Sequence, residues 1–173
     1  FINGLIDKGV AYLWYYIYRP VGPNPNYELA LSPDEIRLLR QHMVDARLKY
    51  SIAIIDTYWN ADGVGMCPAA EGLSHHINAS GYVEPCPIIQ FATENIEEKP
   101  LNRLYAESSF LSDFRSSIQQ KTKGCVVMED PRWLAEFVQK HEAKNTSGRK
   151  DELYKLATAP ETFSHGSCEV IPE

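Results

Sequence analysis

With 173 residues, 44% of them hydrophobic and 23% charged, the chain has an ordinary globular composition, long enough for one domain plus part of another. Its net charge of −6 excludes an extended phosphate-binding surface, which needs clustered Lys and Arg. The one basic run, Lys121 to Lys123 with Arg115 upstream, reads as a solvated helix end. The most apolar early stretch, Val10 to Ile17, is far shorter than the roughly 20 residues of a membrane-spanning helix, and no targeting pattern is visible. A cytoplasmic location, with no membrane or nucleic-acid partner, is the expectation.

Phe1 to Lys8 reads as the last turns of a helix closed by Gly9. The β-branched and aromatic run Val10 to Tyr18 then predicts a strand buried on both faces. Its start without Met suggests a fragment whose N-terminal portion is missing. Arg19 to Asn26 carries three prolines and a glycine, so it predicts a loop with fixed bends. Ser32-Pro33-Asp34-Glu35 combines a capping serine, a proline at the first helical position and a glutamate that completes a capping box. Ile36, Leu39, Met43 and Ala46 follow on one helical face, and Ser51 to Thr57 predicts a second strand. Helix–strand–loop–helix–strand is the order of closing units in an α/β barrel or open sheet.

Composition shifts at Trp59 to Gly65, which divides the chain into residues 1–62 and 63–173. Leu73 to Asn78 and Tyr82 to Glu84, around Ala79-Ser80-Gly81, predict a β-hairpin. Phe110 to Gln120 predicts a helix with Phe110, Leu111, Phe114 and Ile118 on one face, and Pro131 opens another with Leu134, Phe137 and Val138 inward. Lys144 to Gly148 is polar and reads as a linker before a short helix near Asp151 to Leu156. Two Asn-x-Ser tripeptides, at Asn78 and Asn145, are short enough to recur by chance and carry little weight.

The four cysteines, Cys67, Cys86, Cys125 and Cys168, are too few and too scattered for a small disulfide scaffold. Cys67 and Cys86 bracket the predicted hairpin, so their sulfurs can reach the same side of a metal centre, and Gly81 permits the backbone angle that folds the tip back. Pro68, Pro85 and Pro87 stiffen both approaches. Other readings stand beside metal ligation: cysteines buried as small hydrophobes, a disulfide, or a zinc site, although no Cys-x2–4-Cys knuckle is present. His75 and His76, adjacent on a predicted strand, point to opposite faces and cannot chelate one metal together.

Cys67 and Cys86 in the order Cys-x13-Gly-x4-Cys, with Cys-Pro and Pro-Cys at its ends, resemble the opening of SPASM and twitch domains. These auxiliary-cluster domains follow the barrel in many radical S-adenosylmethionine enzymes. Phe91 to Ile96, Leu101 to Leu104 and Lys123-Gly124-Cys125 are similar to the family's later segments, and Tyr15 to Gly22 resembles a late barrel strand with its loop. The resemblance implies an α/β fold: the last βα units of a partial (β/α) barrel, then a small α+β domain with a β-hairpin and helices around an iron–sulfur site. It implies one auxiliary [4Fe–4S] cluster on Cys67, Cys86, Cys125 and Cys168, and contact of Tyr18, Arg19 and Val21 with the adenine of S-adenosylmethionine. Four cysteines suffice for one cluster and not for the two of a full SPASM domain. The Cys-x3-Cys-x2-Cys motif of the radical-generating cluster is absent, so that second [4Fe–4S] cluster, and the cleavage of S-adenosylmethionine, belong only to a full-length protein. Its partners would be the preceding barrel portion, an electron donor and a peptide or small-molecule substrate. A non-catalytic zinc-binding or interaction module is the alternative. Glu35 is better explained as a cap than as a catalyst, and Asp56 and Asp62 sit where a strand end and boundary turn need them.

Overall fold

In the computed structural model, which describes residues 1–56, 58–167 and 171–172, the first 60 residues build a strand–helix–strand unit. A short helix α1 (Ile2–Ile6) leads into β1 (Tyr12–Trp14), and α2 (Pro33–Lys49) carries the chain back to β2 (Ala53–Ile55). β1 and β2 are parallel, with Tyr12 opposite Ala53 and Trp14 opposite Ile55. Parallel strands need such a crossover because a tight turn cannot connect them. α2 begins as its sequence dictates: Ser32 Oγ accepts from the Glu35 amide and the Glu35 carboxylate accepts from the Ser32 amide at 2.8 Å. Its inward face places Ile36, Met43 and Ala46 in the core, with Leu39 packed against it.

The strand over Val10 to Tyr18 departs from expectation. Only three of its residues are in strand geometry, and it is not buried on both faces: Tyr12, Trp14 and Tyr16 are 58%, 49% and 63% exposed. Alternation explains this, because a two-stranded sheet covered by α2 on one side leaves every second side chain outward.

Beyond β2 the chain turns on Asp56. Its carboxylate lies 2.5 Å from Arg47 and 3.8 Å from Arg40, and it accepts from the amides of Tyr58 at 2.9 Å and Trp59 at 3.2 Å. Arg40 and the Asp56 carboxylate are both shut off from solvent.

The remaining elements are α+β in character. β3 (His76–Ile77) and β4 (Val83–Glu84) form the antiparallel hairpin, with Gly81 at its tip in the left-handed region at φ +79°. β5 (Phe91–Ala92) pairs antiparallel with β6 (Lys144–Asn145), so the polar segment expected to be a linker carries a strand instead. Its low hydrophobicity hid it; β6 is held by backbone pairing to a buried partner rather than by burial of its own side chains. Helices α3 (Leu101–Glu107), α4 (Ser109–Lys121), α5 (Val126–Glu129), α6 (Pro131–Lys140) and α7 (Glu152–Thr158) complete the fold. Phe110, Leu111, Phe114 and Ile118 of α4 are fully buried against Leu134, Phe137 and Val138 of α6. The chain is therefore a mixed α/β fold with small two-stranded sheets and no barrel among the described residues, and none of its described helices is long and apolar enough to cross a membrane.

Replacing Asp56 by alanine would remove the buried carboxylate that the buried Arg40 and the partly exposed Arg47 share. Breaking a buried ion pair from one side costs about 3 kcal/mol or more, so urea unfolding of Asp56→Ala is expected to show at least that loss relative to the parent chain.

Candidate functional site

Three of the four cysteines come together. Cys67 precedes the hairpin, Cys86 follows it, and Cys125 caps α5; each belongs to a different segment, and none is in a disulfide. Cys67 and Cys86 pack against the edge of the larger apolar cluster, and all three cysteines are partly buried. Cys168 lies outside the described residues.

The local chain treats the three sulfurs alike. The amides of Ala69 and Ala70 face Cys67, those of Ile88 and Ile89 face Cys86, and those of Val127 and Met128 face Cys125. In every case these are the second and third residues after the cysteine, because each cysteine opens a turn: Ile89 donates to the Cys86 carbonyl at 3.1 Å, Met128 to that of Cys125 at 2.9 Å, and Glu71 to that of Cys67 at 3.0 Å. At α5 the amides bias the sulfur toward thiolate without closing a formal cap hydrogen bond.

Burial works the other way. It pushes all three thiols above their ordinary range, and Cys86, with Cys125 and Cys67 beside it, is pushed up to about 12. Three desolvated thiols within electrostatic reach of one another each resist ionisation, and each loses a proton more readily when a cation is near.

The cation present is Arg19. Its charge acts on the Cys125 and Cys67 sulfurs and feels Cys86. Burial opposes that charge, but the sulfurs of Cys125 and Cys86 together with Tyr58 outweigh it, and the Arg19 pKa is raised. The guanidinium carbon stands 4.9 Å from the centre of the Tyr58 ring, whose hydroxyl accepts from the Ile17 amide at 2.8 Å. One buried tyrosine thus fixes both the end of the β1 segment and the arginine two residues on. Among the described residues no carboxylate pairs with Arg19.

The C-terminal tail is sewn onto the same place. Ser164 Oγ accepts from the Cys125 amide at 2.9 Å and donates to Glu129, whose other oxygen accepts from Thr122. Gly124 is required there, since a Cβ would overlap Ser164 and Glu129. His165 sits between Tyr58 and Trp59, at 4.9 and 5.9 Å between ring centres, with Nε2 3.0 Å from the Met66 carbonyl. Met66 adjoins Cys67, so the residues just before Cys168 are anchored beside two of the other cysteines.

Among the other expected site residues, Tyr18 is exposed and its hydroxyl accepts from the Asn26 amide at 3.1 Å, while Val21 lines a small apolar cavity with Pro20, Ile88, Ile89 and Val127. That cavity adjoins the site, for Pro20 follows Arg19, and Ile88 and Val127 come two residues after Cys86 and Cys125. The histidine pair diverges as expected: His75 stacks on Tyr105 at 5.0 Å, and His76 faces Glu84 at 3.9 Å. Glu35 is a cap, Asp56 an ion-pair partner, and Asp62 is exposed. Sequence reasoning missed Glu129, Ser164 and His165. Only the Ser-His-Gly-Ser run ahead of Cys168 hinted that the tail had a function, and it matches no metal-ligand spacing. Among the described residues no group of three His, Cys, Asp or Glu side chains is arranged to hold a single metal ion.

No family model, no curated protein and no solved structure matches the chain.

Burial, with Arg19 nearby, lowers the His165 pKa to about 4, so the folded chain keeps this imidazole neutral. The unfolded chain protonates it near pH 6.5. The stability it confers is fully present above pH 6.5 and is lost as the pH falls through about 4, a decline of about 3 kcal/mol. Urea unfolding of the parent chain and His165→Gln between pH 7 and pH 4 should show a smaller acid loss in the variant by that amount.

Proposed function

We propose that the chain is the C-terminal part of a radical S-adenosylmethionine enzyme, in which Cys67, Cys86, Cys125 and Cys168 hold one auxiliary [4Fe–4S] cluster. The observation that carries this reading is the convergence of three cysteines from three segments, each with two backbone amides facing its sulfur, near an arginine with no carboxylate partner among the described residues. The fold brings three thiols from distant segments within electrostatic reach of one another. That arrangement suits a group that takes the thiolates as ligands. A cluster spreads its thiolates more widely than a single ion does, because irons and sulfides lie between them. The anchoring of Ser164 and His165 beside Cys125 and Cys67 favours Cys168 as fourth ligand.

The unit before the site supports the same reading. β1 and β2 are parallel, α2 crosses between them, and both Arg19 and Tyr58 follow the C-terminal ends of these strands. Sites in parallel α/β folds lie at that end. In a barrel the exposed Tyr12, Trp14 and Tyr16 would find cover from further elements.

When bound, the cluster would supply one-electron chemistry, or a site at which substrate is held. The chain's own residues would do the rest. The paired amides stabilise the three thiolates, Arg19 balances their charge, and the Glu129–Ser164 contacts hold the tail against the Cys125 turn. Peptides and small molecules are the substrate classes that this reading carries.

Anaerobic incubation with ferrous iron and sulfide is the test. The parent chain is expected to turn brown, absorb broadly near roughly 400 nm and retain about four irons. Cys67→Ala, Cys86→Ala and Cys125→Ala should each lose most of that iron. A colourless chain with one tightly held zinc would overturn the reading. For Cys168→Ala, lost or weakened iron retention supports the fourth ligand, and unchanged iron and spectrum remove it from the set.

A further inference from the structure

We infer that the open cleft beside Cys67 binds a short peptide through its free ends, the ammonium on Glu71 and the carboxylate on Lys123. Calling that peptide a substrate rests on the cluster reading; the binding does not. The cleft holds about 640 Å³, within the roughly 300–1,000 Å³ of small-ligand sites. Three segments contribute to its lining: the boundary loop from Asn60 to Met66, the turn from Cys67 to Leu73, and the end of α4 with Lys123 beyond it. Of the three described cysteines only Cys67 lines it. These segments are set in place by the fold. Asn60 Oδ1 accepts from the Val64 amide at 2.9 Å, the Met66 amide donates to the Tyr58 carbonyl at 2.8 Å, and the Met66 carbonyl lies 3.0 Å from His165 Nε2. Gln119 Nε2 donates to the Ala70 carbonyl at 3.3 Å and so ties α4 to the Cys67 turn. The tail backs the loop closely, for a Cβ on Gly65 would come 3.0 Å from Gly166. A site built in advance loses little freedom when a ligand enters.

Two charges in the cleft are engaged by nothing else. Among the described residues Glu71 has no cation and Lys123 no carboxylate at ion-pair distance, and the two do not pair with each other. Lys121, two residues before Lys123, is by contrast taken up by Asp130 at 3.3 Å. Val64, Met66 and Leu73 add apolar surface to the same cleft. One charge of each sign beside apolar side chains matches a ligand that carries an ammonium, a carboxylate and an apolar body, which is a peptide of a few residues. An extended tripeptide is about 10 Å long and fills more of the cleft than a single amino acid would. A polyphosphate is disfavoured, since Glu71 would repel it and a single lysine would have to hold it.

The experiment is isothermal titration calorimetry with alanyl-leucyl-alanine, and with the same tripeptide acetylated and amidated at its ends. Both are titrated into the chain as purified and after anaerobic incubation with iron and sulfide. The free tripeptide is expected to saturate with a Kd below about 1 mM. Both ion pairs are open to water, so Glu71→Gln and Lys123→Gln should each weaken binding about threefold, and blocking both ends about tenfold. Lys140→Gln removes a charge outside the cleft and should change nothing. Alkylation of Cys67 by N-ethylmaleimide in the chain as purified, located by peptide mass spectrometry, should slow with the free tripeptide and not with the blocked one. Saturable binding in either state that falls in both variants supports the inference. Absence of saturable binding in both states, or equal affinity in the parent, Glu71→Gln and Lys123→Gln, overturns it and leaves the cluster reading to its iron count. A chain that binds the tripeptide in this way but takes up no iron keeps the cleft and loses the cluster reading.

Discussion

Three partly buried thiols and one guanidinium, drawn from four segments of the chain, act on one another electrostatically, and the tail is fastened beside them. Taken singly, each group is in an unfavourable place. Burial raises the thiol pKa values and works against the arginine's charge, and the thiols oppose one another's ionisation. Taken together, guanidinium and facing amides counter part of these costs, and the thiol pKa values still stand above their ordinary range.

These interactions also explain how the two parts of the chain are joined. Arg19 and Tyr58 come from the strand–helix–strand unit, and the cysteines from the hairpin and helices beyond it. The tail crosses between them: Ser164 holds the Cys125 turn, His165 inserts between Tyr58 and Trp59, and the Ile171 carbonyl accepts from Arg40 at 3.0 Å. Without the tail the two apolar groups, one around Ile36 and Tyr58 and the other around Phe110 and Leu134, would have fewer polar bonds fixing their relation. The same stitches that join the parts also deliver the chain to the threshold of Cys168.

Elements whose stability is local were legible in the sequence. The capping box at Ser32 and Glu35, the buried stripes of α2, α4 and α6 and the glycine at the hairpin tip all report short-range physics: a cap bond, a helical period, a positive φ. Where stability came from distant partners, the pattern misled. The aromatic run at Tyr12 to Tyr16 looked doubly buried because aromatic and β-branched residues favour strands wherever they sit, yet half of it faces outward. Lys144–Asn145 looked like a linker because its side chains are polar, although its backbone pairs with Phe91–Ala92.

The site divides in the same way. From sequence alone come the spacing of Cys67 and Cys86, set by a hairpin short enough to encode itself, and the prolines that stiffen it. Arg19 stood out only through resemblance, and for contact with an adenine rather than for its charge near the sulfurs. Only tertiary structure brought Cys125 to the first pair, brought the charge of Arg19 to bear on all three, and placed Glu129, Ser164 and His165 behind them. The reason is that charge compensation depends on distance through space. Arg19 and Cys125 lie far apart along the chain, and no local period or motif records that they meet.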